Sequence, residues 1–284
     1  MTPEIQAFFD EATFTVSYLV ADPETREAAV LDPVLDYDPK SGRTATRSAD
    51  AILAAAKAGD LEIRWILETH AHADHLSAGA YLRGQTGATL VIGEHIRTVQ
   101  KTFAPVFNIA LGGGVEFDRL VKDQEQFQIG SLDVEVLHTP GHTPACVSYK
   151  IGDAVFVGDT LFMPDYGTAR ADFPGGDAAA LYRSIKRILS LPGSTRLLMC
   201  HDYKAPGRDH FAWETTVAEE RAMNLHVKDG ITEQAFVALR HERDKTLEVP
   251  ALILPSIQVN VRGGALPAPE SNGVAYLKIP LNRL

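Results

Sequence analysis

The sequence predicts an α/β (α+β) protein in which two β-sheets are flanked by helices within a single domain. Three observations predict it. Short apolar, β-branched runs alternate with helical patterns, as strands, helix, strands, helix, twice along the chain. No internal repeat or low-complexity stretch interrupts the pattern. Four of the strand-like runs end in a loop that carries histidine or aspartate, as expected where sheets present a site at the carboxyl ends of their strands.

Residues 12–20 are rich in β-branched and aromatic side chains and predict a strand. Its partner is 28–31, across a turn at 22–25, and Asp32-Pro33 closes it. Residues 36–47 are polar, carry Pro39 and Gly42, and predict a loop. Ser48 is placed to cap a helix over 49–58 that Gly59 ends. A buried strand over 64–68 leads into the loop 69–75, and 76–82 reads as the start of a helix. A strand over 89–92 and a short helix over 94–101 follow, then an irregular stretch over 102–120 with Pro105 and Gly112-Gly113-Gly114. That triplet lacks the Gly-Lys-Ser/Thr of a phosphate loop, so a turn is expected. From 126 to 157 the chain predicts consecutive antiparallel strands, turning at Gly130 and at Gly152-Asp153. Asp177 is the expected N-cap of a helix over 178–191, whose stripe of Leu181, Ile185, Ile188 and Leu189 belongs to the core. A buried strand is expected over 196–200, and helices over 213–224 and 232–243. The tail has prolines at Pro250, Pro255, Pro267, Pro269 and Pro280 and is expected to run extended. Residues 1–249 are therefore assigned to the domain and 250–284 to a C-terminal extension docked on it.

Of 284 residues, 45% are hydrophobic and 23% charged, an ordinary globular composition with enough chain for a sizeable core. A formal net charge of −10 argues against a nucleic-acid partner or an anionic membrane surface. No apolar run approaches the ~20 residues that span a bilayer, and the start of the chain, with Glu4 and Asp10, lacks a secretory pattern. Cys146 and Cys200 cannot build a disulfide framework, so a cytoplasmic location with reduced thiols is expected. Both read as small core residues, since a reactive thiol needs an exposed, electropositive setting.

The chemistry concentrates in Thr69-His70-Ala71-His72-Ala73-Asp74-His75. Imidazole nitrogens and carboxylate oxygens are the ligands that zinc and iron prefer. Three further residues follow strands in the same manner: His142 in Pro140-Gly141-His142-Thr143, Asp159 in Gly158-Asp159-Thr160, and His201 in Cys200-His201-Asp202-Tyr203. Singly, each could be a turn or cap residue. Together they describe a metal site along one edge of the sheets.

In this order, His-X-His-X-Asp-His, Pro-Gly-His-Thr, Gly-Asp-Thr and His-Asp-Tyr, the chain resembles the metallo-β-lactamase fold superfamily over at least residues 12–204. The resemblance implies a four-layer αββα sandwich with the metal at the sheet edge. It is closer to the glyoxalase II branch than to true β-lactamases, which usually carry cysteine where Asp159 stands. The segments Leu161-Phe162-Met163-Pro164, Gly167-Thr168-Ala169-Arg170-Ala171-Asp172-Phe173 and Pro174-Gly175-Gly176-Asp177 resemble the persulfide dioxygenase family, in particular bacterial members often labelled β-lactamase-like hydrolases. That resemblance implies one iron(II) per chain, held by His70, His142 and Asp159 as a facial triad. It implies oxidation of glutathione persulfide by dioxygen to sulfite and glutathione, and it suggests a homodimer. Arg170 and Asp172 are then residues at or beside the reacting centre. Arg170, Tyr203 and Thr143 are candidate glutathione contacts. His72, Asp74, His75 and His201 would tune the site through hydrogen bonds.

The same residues would also serve a dinuclear zinc hydrolase of glutathione thioesters, of the glyoxalase II type. His70, His72 and His142 would hold one zinc, Asp74, His75 and His201 the other, with Asp159 bridging and a hydroxide activated between them. One or two zinc ions per chain would then replace the iron. The segment 164–176 favours the dioxygenase, as does the lack of a long helical glutathione-binding extension after Tyr203. A third class, a non-enzymatic metal-binding or sulfide-sensing protein, would more naturally show reactive surface cysteines or an attached basic recognition helix, and neither is visible.

Overall fold

Side chains on successive strand positions point to opposite faces, and that period of two sorts the apolar runs into layers. The structure is a computed structural model and describes residues 2–283. Its strands in chain order are β1 (Glu4–Asp10), β2 (Thr15–Ala21), β3 (Glu27–Leu31), β4 (Val34–Asp38), β5 (Arg43–Ala45), β6 (Glu62–Leu67), β7 (Leu76–Ser77), β8 (Thr89–Gly93), β9 (Arg119–Val121), β10 (Gln126–Ile129), β11 (Leu132–His138), β12 (Val147–Ile151), β13 (Ala154–Phe156), β14 (Arg196–Leu198) and β15 (Glu214–Thr216). The helices are α1 (Arg47–Ala58), α2 (Gly79–Thr86), α3 (Ile96–Phe107), α4 (Ala178–Ile188), α5 (Val217–Met223), α6 (Glu233–Asp244) and α7 (Ile253–Asn260).

One six-stranded sheet runs β1-β2-β3-β6-β8-β9 and another β10-β11-β12-β13-β14-β15, with a small sheet β5-β4-β7 beside them. Val16, Tyr18, Ala29, Leu31, Leu67 and Val91 of the first sheet meet Val134, Val136, Tyr149, Phe156 and Leu198 of the second in one buried cluster. Their sequence neighbours Leu19, Val30, Ile66 and Ile92 face the other way, packing with Ile52 of α1, Leu82 of α2 and Phe103 of α3. Val155, Val157, Leu197 and Met199 likewise pack outward with Leu181, Ile185 and Ile188 of α4 and Phe236 of α6. Three apolar clusters between four layers make the αββα sandwich. No helix among the described residues is long and apolar enough to cross a membrane.

Several elements differ from their sequence expectations. The strand β1, unforeseen, pairs along its length with β2. The polar stretch 36–47 holds a hairpin, with Asp36 opposite Ala45 and Asp38 opposite Arg43; an exposed ribbon carries no apolar signal. Helix α1 begins two residues early, with Thr46 at its N-cap position, and Ser48 bonds the Asp36 carboxylate instead. Leu76 and Ser77 pair with β4 before α2 starts. Helix α3 continues through Pro105 to Phe107, carried by the buried stripe Ile96, Val99, Phe103 and Phe107. Residues 214–216 are a strand, after which Thr216 and Glu219 form the capping box of α5. The tail is helical over Ile253–Asn260, with Pro255 in the first turn, where its missing N–H costs nothing. The Asp177 cap holds as expected, its carboxylate accepting from the Ala180 N–H at 2.7 Å.

Candidate metal centre

Each donor sits just past the end of a strand, and the two sheets bring these ends to one edge. The loop after β6 carries His70, His72, Asp74 and His75; the loop after β11 carries His142; Asp159 follows β13; His201 follows β14. Backbone bonds stitch the loops across the sheets, from Val147 N–H to Thr69 O at 2.9 Å and from Val16 N–H to Cys200 O at 2.7 Å. Two glycines allow the approach. Gly141 has φ +142°, and a Cβ there would stand 2.3 Å from the Leu181 backbone of α4. Gly158 has φ +53°, and a Cβ there would stand 2.7 Å from Thr69 Oγ1. Both positions favour glycine conformationally as well as sterically.

The donors form two adjoining groups. In the first, His70 Nε2 and His142 Nε2 lie 3.9 and 3.7 Å from Asp159 Oδ2. In the second, His201 Nε2 lies 3.3 Å from Asp74 Oδ2, and His75 Nδ1 is also 3.3 Å from that oxygen. His72 offers an atom to the second group as well. Asp159 touches both groups, because its other oxygen is 3.4 Å from His201 Nε2.

Every imidazole has one nitrogen tied and the other left bare. His142 Nδ1–H donates to Arg170 O at 2.9 Å. His201 Nδ1–H donates to Phe14 O at 3.2 Å. His72 Nε2–H donates to Asp32 Oδ1 at 3.0 Å, with Glu68 3.5 Å away. Thr69 gives its hydroxyl proton to Asp32 and so accepts from His70 Nδ1–H at 3.0 Å. His75 Nδ1 faces Asp74 and Thr15 Oγ1. The opposite atoms, His70 Nε2, His72 Nδ1, His75 Nε2 and His201 Nε2, are buried without a hydrogen-bond partner, and so is Asp159 Oδ1. A buried orphan polar atom is costly. Five in one place, all of metal-ligand type and each oriented from behind, fit one or more metal ions.

Electrostatics within the centre divide the imidazoles. Burial, then its histidine neighbours, holds His70 well below its ordinary pKa, and burial lowers His75 too. Burial opposes a proton on His72, but Asp32 and Glu68 outweigh it and raise that imidazole. Burial would raise Asp74, yet His201 and His75 outweigh it and hold the carboxyl well below its usual range. Burial pushes the Cys146 thiol up to about 12, and Cys200 is raised well above its ordinary value by burial and then by Asp32. Both buried thiols are thereby held protonated.

A cavity of about 430 Å³ opens onto His142 and Asp159 of the first group and Asp74 of the second. His142 and Asp159 lie in its wall with Phe14, Phe162, Tyr166 and Tyr203, together with Arg170 and Arg243 and the tail residues 250–252. The Tyr203 ring stacks near His201, centroids 5.6 Å apart, and burial with Asp74 and Asp159 keeps its hydroxyl protonated. Arg170 grips Asp172 through two bonds of 2.5 and 2.7 Å and donates to Glu248 O at 2.6 Å. Its own carbonyl is the group that orients His142. Asp172 and Thr143 do not line the cavity; Thr143 is buried, its hydroxyl accepting from Ala145 N–H and lying 3.1 Å from Cys146 Sγ. Sequence reasoning missed Asp32, Glu68 and Asn260. Asp32 ends a strand just as Asp159 does, a signal that was available; Asn260 carried none.

The sequence profile described as "Metallo-beta-lactamase superfamily" matches residues 11–201. The chain is 53% identical to a "Probable metallo-hydrolase" of Burkholderia pseudomallei, covering 99% of both chains. It is 53% identical to a "Beta-lactamase hydrolase-like protein" of Xylella fastidiosa, of which it spans 66% of the length while matching along all of its own. It is 32% identical to the human "Persulfide dioxygenase ETHE1, mitochondrial" over 78% of this chain and 74% of that one. Among solved structures, ETHE1 from Myxococcus xanthus aligns with a TM-score of 0.74 at 32% identity, over 92% of this chain and 100% of that one.

Proposed function

The chain belongs to the metallo-beta-lactamase superfamily, a family of metal-dependent enzymes, and on that premise we propose that it is a persulfide dioxygenase. The reaction is glutathione persulfide, dioxygen and water giving glutathione and sulfurous acid, which ionises to sulfite; the terminal sulfur is oxidised and dioxygen is reduced. One iron(II) per chain would be held by His70 Nε2, His142 Nε2 and Asp159. When bound, it supplies the one-electron chemistry that lets dioxygen react with a closed-shell sulfur anion. The observation that carries the reading is the buried two-histidine, one-carboxylate set of His70, His142 and Asp159, of which His142 and Asp159 border a cavity.

The chain's own groups do the rest. Arg243 sets positive charge on the cavity wall of an acidic protein, where a glutathione carboxylate would be seated, while Arg170 is held by Asp172. Phe14, Phe162, Tyr166 and Tyr203 line it with polarizable rings that suit sulfur and exclude water. Tyr203 keeps its proton on Oη and can donate it in a hydrogen bond to an anionic sulfur.

One observation favours a second reading. Asp159 turns one oxygen to each donor group, the disposition of a bridging ligand, and the second group also leaves its donor atoms bare. A dinuclear zinc hydrolase of glutathione thioesters would use both groups. Metal content of anaerobically purified protein, measured with oxygen uptake on adding glutathione persulfide, separates the two. About one iron per chain with rapid uptake and sulfite release is expected. Two zinc per chain, no uptake, and thioester hydrolysis would replace the dioxygenase with the hydrolase.

A further inference from the structure

The loop 69–75 bears four donor side chains and has no helix or strand of its own. Its buried carbonyls must therefore find donors elsewhere. Two find them on one side chain. Asn260, the last residue of α7, donates its Nδ2 protons to His72 O and His75 O, each at 2.8 Å. Its Oδ1 accepts from Ser77 N–H at 2.7 Å. A primary amide has two donors and one carbonyl, and here each has a partner on the segment 72–77. Asn260 is only 3% exposed, while His72 and His75 are fully buried. The far end of the same tail segment, 250–252, forms part of the cavity wall. Asn260 and residues 250–252 lie outside residues 11–201, which match the family.

We propose that Asn260 is a positioning residue of the metal centre, clamping the backbone of the histidine loop so that the donor atoms of His72 and His75 stay aimed inward. The proposal rests on the loop holding metal: with both donor groups occupied the clamp aims His72 and His75 themselves, and with the first group alone it fixes the loop that carries His70. No other residue type reproduces the clamp. Aspartate keeps the shape but sets two acceptors against two carbonyls; alanine leaves both carbonyls and the Ser77 N–H unpaired.

The test is cobalt(II) and zinc(II) binding to purified, metal-depleted full-length chain, by chelator competition and by the visible absorption of bound cobalt. Asn260→Ala and Asn260→Asp are expected to bind each metal about tenfold or more weakly, a loss of the size seen when groups orienting a ligand are removed. The cobalt spectrum should change, because the ligand field changes. Gln258→Ala is the control: Gln258 lies on α7 and bonds Lys278 and Leu254, not the loop. It should lower thermal stability with metal affinity intact. Wild-type affinity and spectrum in folded Asn260→Ala would overturn the clamp, as would an equal loss in Gln258→Ala. Should the Asn260 variants not fold, hydrogen exchange of the wild-type Ser77 amide decides. Slower exchange with metal bound supports the coupling, and equal exchange overturns it. A wild-type chain that binds neither metal would overturn the metal centre itself, and the clamp with it; failure of persulfide oxidation alone touches only the dioxygenase reading.

Discussion

The two sides of the centre hold their donors by different means. On the side that faces the cavity, His142 is oriented by the carbonyl of Arg170, which belongs to a surface segment. That segment is in turn pinned by side chains from α6 and from the residue that follows α5. Asp244 accepts from Ala171 N–H at 2.9 Å, Arg240 donates to Thr168 O at 3.2 Å, and Asn224 donates to Gly167 O at 3.0 Å. On the side that faces the core, His72 is oriented by Asp32, at the end of a central strand, and its backbone by Asn260. The core side rests on buried carboxylates and an amide; the cavity side rests on a segment that itself lines the cavity. Relatives of this chain are named both as hydrolase and as dioxygenase.

The comparison breaks first if either side can lose a first ligand without consequence. His142→Ala and Asp159→Ala are expected to lose bound metal and essentially all activity while the far-ultraviolet circular dichroism stays native. Full activity in either would sink the site assignment. Asp32→Ala tests the core side. It removes the acceptor for His72 and for the Thr69 N–H and hydroxyl together, so metal affinity should fall about 10- to 100-fold. A variant with unchanged affinity would mean that the core side contributes packing alone.

Cavity-side variants should act on substrate more than on metal. Arg243→Ala removes a cation from the cavity wall and is expected to raise KM for glutathione persulfide about tenfold, the size of a lost charge-assisted contact, with kcat and metal content nearly unchanged. A fall in metal content instead would erase the distinction between the sides. The smallest effect is on stability against pH. Glu220 is fully buried, accepts from Asn224, and burial pushes its carboxyl up to about 8 from an ordinary 4.5. The folded chain therefore holds more protons than the unfolded chain between those values, and stability declines as pH rises through that window. Glu220→Gln should raise Tm by several degrees at pH 8.5 and change it little at pH 4.5. Equal shifts at both pH values would assign the effect to packing rather than to ionisation.

Much of the site was legible because metal chemistry restricts residue type. His70, His142, Asp159 and His201 each follow an apolar run, and a histidine or carboxylate at a strand's end is visible in one dimension. The same logic applied to Asp32, which was read only as the end of its strand, because nothing local tells a ligand's partner from a turn residue. The hairpin over 34–45 and the helix over 253–260 were hidden for another reason. Exposed polar alternation and a proline in a first turn both imitate loop, and tertiary packing overrides the local signal.

The sequence by itself determined the alternation of strands and helices, through apolar runs such as 15–21 and 154–157, and the inventory of donors, through their chemistry. Only the tertiary structure decided how those donors are used. For His142, His72 and His201, which nitrogen is bare depends on acceptors 28, 40 and 187 residues away: Arg170 O, Asp32 Oδ1 and Phe14 O. That Asp159 turns one oxygen to each donor group, and that Asn260 reaches back 188 residues to the His72 carbonyl, follow from the packing of loops and α7 at one sheet edge. Hydrogen bonds between distant segments are set by where the chain closes, and no local pattern of residues carries that information.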